Sequence, residues 1–203
     1  MRVGVLGGTF DPVHRGHLAL AGAARDELGL DEVLFVPAGQ PWRKVGRIVA
    51  PAEHRLAMLR LALAGQSAFR VEALELERPG PSYTADTLEA LAEAGPGDEL
   101  FFIVGEDALA DLPNWVRPER ILELAILAVA RRADVTPSAL AEAEAKLAGL
   151  TERAVWLKMP LVPVSATEIR ERVRRGEPVE GLVPPPVEAY IREHGLYRDA
   201  GQG

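Results

Sequence analysis

The stretch "MRVGVLGGTFDPVHRGHLAL", residues 1–20, sets the reading of the whole chain. Its first part, "RVGVL" (2–6), is a short apolar run that reads as a buried strand. From His17 onward "HLALAGAARDELGL" (17–30) repeats apolar residues at three- and four-residue spacing, the pattern of a helix laid on a core. Between them "GGTFDPVHRGH" (7–17) crowds three glycines, a proline and two histidines into the join. A strand feeding a helix in this way opens a βαβ unit, and the join lies where the strand's carboxyl end meets the positive end of the helix.

The same alternation continues outward. "EVLFVPA" (32–38), "FRVEALEL" (69–76), "ELFFIVG" (99–105), "AILAVA" (125–130) and "AVWLKMP" (154–160) read as strands. Helical patterns separate them in "PAEHRLAMLRLALAG", "TADTLEALAEAG", "PERILELA" and "PSALAEAEAKLAGL", with Pro51 and Pro137 near helix starts and Gly65 and Gly95 at helix ends. The series predicts an α/β fold: a Rossmann-like, doubly wound, mostly parallel sheet with helices on both faces and ligands at the carboxyl ends of its strands. The tail, from "SATEIRERVRRG" through "PPPVEAYIREHGLY", predicts a small C-terminal helical cap at about 165–197 on a single domain spanning 1–203. There is no internal repeat and no low-complexity linker.

With 203 residues and 48% hydrophobic content, the chain has enough apolar surface for such a core. A formal net charge of −7 argues against an extended surface for DNA or RNA and points to small-molecule partners. The absence of cysteine excludes disulfides, thiolate nucleophiles and Cys-bound zinc. "MRVGVLGG" is too short for a signal-peptide core and no stretch approaches a membrane span, so the expected location is cytoplasmic, with no membrane partner. A homo-oligomer is compatible with all of this.

The join itself suggests a polyphosphate clamp. Gly7 and Gly8 lack a Cβ, so a phosphate chain can approach the backbone amides that run on through Thr9 and Phe10. His14 and His17, three apart at a helix start, share one face, and Gly16 between them keeps the space open. Singly, each feature has a plainer explanation, a tight turn or a capping histidine; together with Asp11-Pro12 they favour function. The segment is neither the dinucleotide G-x-G-x-x-G nor a Walker sequence, since no Gly-Lys dipeptide occurs in the chain. In "RERVRR" (170–175) most arginines read as a solvated helix face, but Arg170 follows Ser165 and Thr167 at a helix start, where hydroxyls and N–H groups can join it around phosphate.

These residues carry a resemblance. "GGTFDPVHRGH" resembles the H-x-G-H signature of the nucleotidyltransferase superfamily related to class I aminoacyl-tRNA synthetases. Further along, "GPSYTADTL" (80–88), "VGEDALADLPNWVRPERIL" (104–122) and "VSATEIRERV" (164–173) resemble bacterial nicotinate-nucleotide adenylyltransferases, collinearly from residue 1 to about 197, including the ending "EAYIREHGLY". The resemblance implies transfer of the adenylyl group of ATP to nicotinate mononucleotide, giving deamido-NAD (nicotinate adenine dinucleotide) and pyrophosphate, in NAD biosynthesis. It implies catalytic roles for His14 and His17 and phosphate contacts from "PWRK" (41–44), where Arg43 stands in place of the family's usual histidine beside Lys44. In the serine-rich segment Ala166 replaces a second serine. The strand-end arginine, Arg132, is followed by Ala-Asp instead of Pro-Gly, which leaves open whether Arg131 or Arg132 faces the site.

On the acceptor side Ser82, Tyr83 and Thr84 mark a helix start, with Thr84 as the expected N-cap and Asp86 in the first turn. By itself that is a structural cap; the resemblance adds that its N–H groups receive the nicotinate carboxylate. Trp115 either fills core or stacks on the ring. Gly105 and Asp107 meet adenine and ribose, or Asp107 caps the next helix. A mononucleotide phosphate is already an anion at neutral pH, so this chemistry needs in-line placement and donors around the phosphates rather than a strong base. Magnesium is expected to arrive on the triphosphate, since no carboxylate cage is visible. Two other readings share the pocket: a different acceptor (nicotinamide mononucleotide or phosphopantetheine), or a nucleotide sensor without catalysis.

Overall fold

The computed structural model describes residues 1–40, 50–131, 136–158 and 162–198. Six parallel strands form one sheet in the order β3-β2-β1-β4-β5-β6: β1 (Arg2–Gly8), β2 (Glu32–Pro37), β3 (Phe69–Val71), β4 (Glu99–Gly105), β5 (Ala125–Ala130) and β6 (Ala154–Leu157). Strands β1 to β3 run out one way from the centre and β4 to β6 the other, so the order reverses between β1 and β4. That is the switch point at which open α/β sheets bind ligands.

The register shows how the crevice arises. β1 pairs with β2 along its length, from Val3 opposite Glu32 to Gly8 opposite Pro37. Its pairing with β4 stops early, at Val5 opposite Phe102, although β4 stays paired with β5 as far as Gly105 opposite Ala130. Beyond Val5 and Phe102 the central strands therefore part, each still held by its outer neighbour.

Period-two alternation sends successive side chains to opposite faces, and each face has its own core. Val33, Phe35, Phe101 and Ile103 pack with Val13, Ala21, Met58 and Leu59, beneath α1 (Arg15–Leu28) and α2 (Ala52–Leu63). Leu34, Val36, Phe102 and Val104 pack on the other side with Ala85, Leu88, Leu109 and Ile121. Those residues come from α4 (Thr84–Ala94), α5 (Glu106–Asp111) and α6 (Pro118–Leu124), and α7 (Pro137–Lys146) adds Ala143. α1 ends on Gly29 in the left-handed region (φ +60°), whose N–H reaches Arg25 O.

Four expectations need correction. "FRVEALEL" is a strand only over Phe69–Val71, and Leu74–Glu77 forms the short helix α3. The segment is rich in Ala, Leu and Glu, which favour helix, and β3 is an edge strand with little to hold it longer. Helix α5, with the 3-10 turn Leu112–Asn114 after it, was not expected as an element. The N-cap of α4 is Tyr83, without a side-chain cap bond, and Thr84 is the first helical residue. The strand expected over 154–160 ends at Leu157, with Lys158 outside it, and Met159 and Pro160 lie outside the described residues.

The C-terminal helices α8 (Ala166–Arg174) and α9 (Pro185–Glu193) share the core beneath α1 and α2, where Ile169, Val179, Val183, Val187 and Ile191 are buried. His54 on α2 meets the Tyr190 hydroxyl at 2.9 Å, and the N–H that opens α1, that of Arg15, donates to Leu182 O. Phe35 is fully buried between the Phe10 and Phe69 rings, with centroids at 5.8 and 5.5 Å. Phe35→Ala is expected to lower unfolding stability by about 3–5 kcal/mol, the usual cost of a large cavity, read from the urea midpoint at constant m.

Candidate active site

A cleft of about 410 Å³ opens where β1 and β4 part. Its lining includes Gly7, Gly8, Thr9, Phe10, His14 and His17 from the first join, Gly105 at the end of β4 with Asp107 and Trp115 beyond it, and Ser165, Thr167 and Arg170 from the start of α8. Residues 7 to 170 in the sequence thus converge on one crevice. A Cβ on Gly7 would meet only the Phe102 ring, at 3.8 Å, whereas one on Gly8 would press on the Phe10 ring at 3.1–3.3 Å. Gly7 leaves room for a ligand, and Gly8 is set by packing.

The histidine pair forms at the entrance to α1. His14 is the N-cap, in extended backbone (φ −143°), and is 7% exposed. Its ring lies 3.6 Å from that of His17, at 22° between planes. Gly16 permits this: a Cβ there would sit 3.0 Å from His14 Nδ1. The backbone N–H of His14 donates to His17 Nδ1 at 3.2 Å, so the neutral His17 ring carries its proton on Nε2. The Phe10 and His17 rings meet edge-to-face, with centroids 4.9 Å apart. Phe10 holds a left-handed backbone (φ +49°) that residues with a Cβ seldom adopt, and burial fixes it there.

Behind the pair stands a buried ionic network that the sequence did not reveal. Arg55, 3% exposed, donates Nη1 to Thr9 O at 2.9 Å and to Ala38 O at 2.8 Å, and Nε to Ala50 O at 3.1 Å. It joins the glycine turn to the chain leaving β2. Burial pulls its pKa down, opposed by the charge of Asp11. Asp11, 4% exposed, accepts from the Tyr197 hydroxyl at 2.8 Å and from Ala50 N–H at 3.2 Å. Arg170 donates to Asp11 O at 2.7 Å and to Thr167 Oγ1 at 3.3 Å. The neighbouring arginines pair outward, Arg172 with Glu168 and Arg175 with Glu177. The signal for Arg55 was its place on the buried stripe of α2 with Met58, Leu59 and Ala62. A single Tyr near a helix end gives no comparable signal.

Other expected residues fall less directly on the cleft. Ser165 uses its hydroxyl to cap α8, accepting from Glu168 N–H at 3.1 Å. Asp107 is exposed in the first turn of α5, whose N-cap is Gly105. Trp115 is half-buried, edge-on to Phe102 at 6.1 Å, and donates Nε1–H to Asp111 Oδ2 at 3.1 Å. Ser82, Tyr83 and Thr84 do not line the cleft; they sit beside the chain leaving β2, where Ser82 Oγ accepts from Gly39 N–H at 3.1 Å. Buried Glu75 ties this corner together, accepting from Thr87 Oγ1 at 2.6 Å. Burial raises its pKa, against the hydrogen bonds from Thr87 and Ser82 and the charge of Arg78. Arg131 lies over the Trp156 ring at 4.8 Å. Arg43, Lys44 and Arg132 lie outside the described residues. Among the described residues no group of three or more His, Asp or Glu is placed to hold a metal, and no helix is long and apolar enough to cross a membrane.

Comparison with known proteins gives the same architecture a wider setting. The family model described as cytidylyltransferase-like matches residues 5–172. A protein of Roseiflexus sp. is 48% identical over 198 residues, covering 97% of this chain and 98% of its own length, and one of Thermomicrobium roseum is 46% identical over 197 residues, covering 97% and 92%. Both bear the name "Probable nicotinate-nucleotide adenylyltransferase". Among solved structures, Plasmodium falciparum nicotinic acid mononucleotide adenylyltransferase complexed with NaAD superposes with TM-score 0.78 at 18% identity, covering 97% of each chain, a likeness of fold.

Tyr197→Phe removes one donor from a buried carboxylate and is expected to cost about 1.5–3 kcal/mol. Burial next to Asp11 raises the Tyr197 pKa well above its ordinary value near 10. A raised folded-state pKa gives stability that is full below the unfolded value and is lost as pH rises. The gap between parent and Y197F in urea unfolding is therefore expected to be constant near neutrality and to shrink above about pH 10.

Proposed function

The chain belongs to the nicotinate-nucleotide adenylyltransferase family, and from that premise we infer that it transfers the adenylyl group of ATP to nicotinate mononucleotide, giving nicotinate adenine dinucleotide and pyrophosphate in NAD biosynthesis. The observation that carries this reading is the stacked His14–His17 pair at the mouth of a crevice between β1 and β4. An oxygen of the mononucleotide phosphate attacks the α-phosphorus of ATP. The new P–O bond forms as the bond from that phosphorus to the bridging oxygen breaks, and pyrophosphate leaves with the electron pair. The attacking oxygen is already anionic, so donors and placement carry the catalysis.

On this reading the residues divide by side of the crevice. His17 offers Nε2–H to the reacting phosphate, the tautomer set by the His14 N–H bond to Nδ1. Gly7, Gly8, Thr9 and Phe10 offer backbone N–H groups to the triphosphate, and Arg170 and Thr167 from α8 offer their side chains. Arg170 exchanges part of its bonding to Asp11 O and Thr167 for phosphate. Arg43 and Lys44 supply further cations. Gly105 and Asp107 meet the nucleoside. The start of α4, with Ser82, Tyr83 and Thr84, takes the nicotinate carboxylate on its N–H groups, Trp115 stacks on the ring, and Arg132 adds a cation on that side. Magnesium carried on the triphosphate would offset its charge, with no carboxylate cage required of the protein. The substrates are water-soluble nucleotides, in keeping with a cytoplasmic enzyme.

His17→Ala is expected to lower turnover by about 10²- to 10³-fold, the cost of one transition-state donor, with the urea midpoint little changed. Pyrophosphate release within a few-fold of the parent would remove His17 from the mechanism. With nicotinate and nicotinamide mononucleotides compared as acceptors, kcat/KM is expected to favour the acid on the order of 10²- to 10⁴-fold, because two N–H donors facing a carboxylate are worth more than the same donors facing an amide. Equal efficiencies would assign the acceptor pocket to both nucleotides.

A further inference from the structure

One side chain fastens the loop that carries Trp115 to the first turns of α4. Arg117, two residues beyond Trp115, donates Nη2–H to Glu89 Oε2 at 2.8 Å and to Asp86 Oδ1. Arg120 on α6 donates Nε–H to the other oxygen of Glu89 at 2.8 Å, and Nη1–H to Glu123 at 2.8 Å. Trp115 is fixed within its own loop by the Nε1–H bond to Asp111 and by its backbone N–H to Leu112 O. Holding Arg117 thus holds the indole.

The backbone reinforces this. Arg117 is the N-cap of α6 in the left-handed region, at φ +52° and ψ +55°. Glycine takes that conformation without steric cost, whereas a residue with a Cβ is rare there. The position keeps an arginine against its backbone preference, and the guanidinium spanning two carboxylates of another helix is the compensating gain. A single exposed ion pair contributes little. Here the partners sit on different elements, so the bonds fix the position of one wall relative to another.

We propose that Arg117 is a positioning residue for the acceptor: by bridging Asp86 and Glu89 it sets the spacing between the Trp115 ring and the N-terminus of α4, the two walls that hold the pyridine ring. This rests on the acceptor site proposed above. The ring stack is common to both acceptors, so the amide acceptor is affected as well as the acid.

The test is steady-state pyrophosphate release by the parent, Arg117→Ala, Arg117→Lys, Trp115→Ala and the Arg117→Ala/Trp115→Ala double variant. Arg117→Ala is expected to raise KM for nicotinate mononucleotide about tenfold, with KM for ATP and kcat within about twofold. Arg117→Lys, which keeps the charge and can reach one carboxylate, recovers most of the loss. In the Trp115→Ala background the same change alters KM by less than about twofold, because the ring it positions is gone. An unchanged KM in Arg117→Ala, or an equal rise with and without Trp115, overturns the proposal. So does a loss confined to the acid acceptor, which would give Arg117 a charge role instead. A parent that releases no pyrophosphate with nicotinate mononucleotide overturns the acceptor reading itself, and that failure is recognisable because it precedes any substitution.

Discussion

The organising constraint of this molecule is that two central strands stop bonding to each other before either of them ends. Past Val5 and Phe102, β1 and β4 keep only their outer partners, so three residues on each strand turn an unpaired edge toward the gap. Buried peptide groups without partners are costly, and such a gap persists only where water or a ligand meets them. The glycine turn, the histidine pair and the start of α5 all gather at this parting because the strands deliver them there.

Holding a gap open requires bracing from outside it. Arg55 does this on the β2 side by gathering carbonyls of Thr9, Ala38 and Ala50. Asp11 does it from the other direction, tied to the tail through Tyr197 and flanked by the Arg170 guanidinium. An aspartate in a turn proposed to receive phosphates looks misplaced until these contacts are seen. Its carboxylate is engaged in holding the segment that contains His14, and the arginine it flanks offsets its charge. Removing one partner from such a buried group leaves the others exposed to the full desolvation cost.

Much of this was legible in the sequence because it depends on periodicity. The runs at 2–6, 32–38, 99–105 and 125–130 are apolar on both faces, as strands covered by helices must be, and the glycine-histidine join announced itself by residue type. "FRVEALEL" misled because its alternation fits a strand while its Glu75 is in fact buried against Thr87, a tertiary bond that no local pattern encodes. The short α5 lacks two full turns of amphipathic pattern. Thr84 suits a cap by residue type, yet the chain enters α4 one residue earlier. Arg55 reaches Ala38 and Thr9, 17 and 46 positions away, and Tyr197 reaches Asp11 across 186, which one-dimensional spacing cannot show.

The bond between Tyr197 and Asp11 also bears on the order in which the molecule assembles. Closing a loop of 186 residues carries an entropic cost that the parallel sheet must offset first, since strand pairs and the helices between them form over shorter separations. By contact order the bond that braces the crevice is expected to form after the sheet that defines it. In the native state the same logic runs in reverse: release of α9 and the segment after it takes Val187 and Ile191 out of the core beneath α2 and breaks the Tyr197–Asp11 bond, without touching a strand pair. Such an excursion would leave the strands intact and the histidine segment without its anchor, so loss of a competent site and loss of the fold are separate events in this architecture.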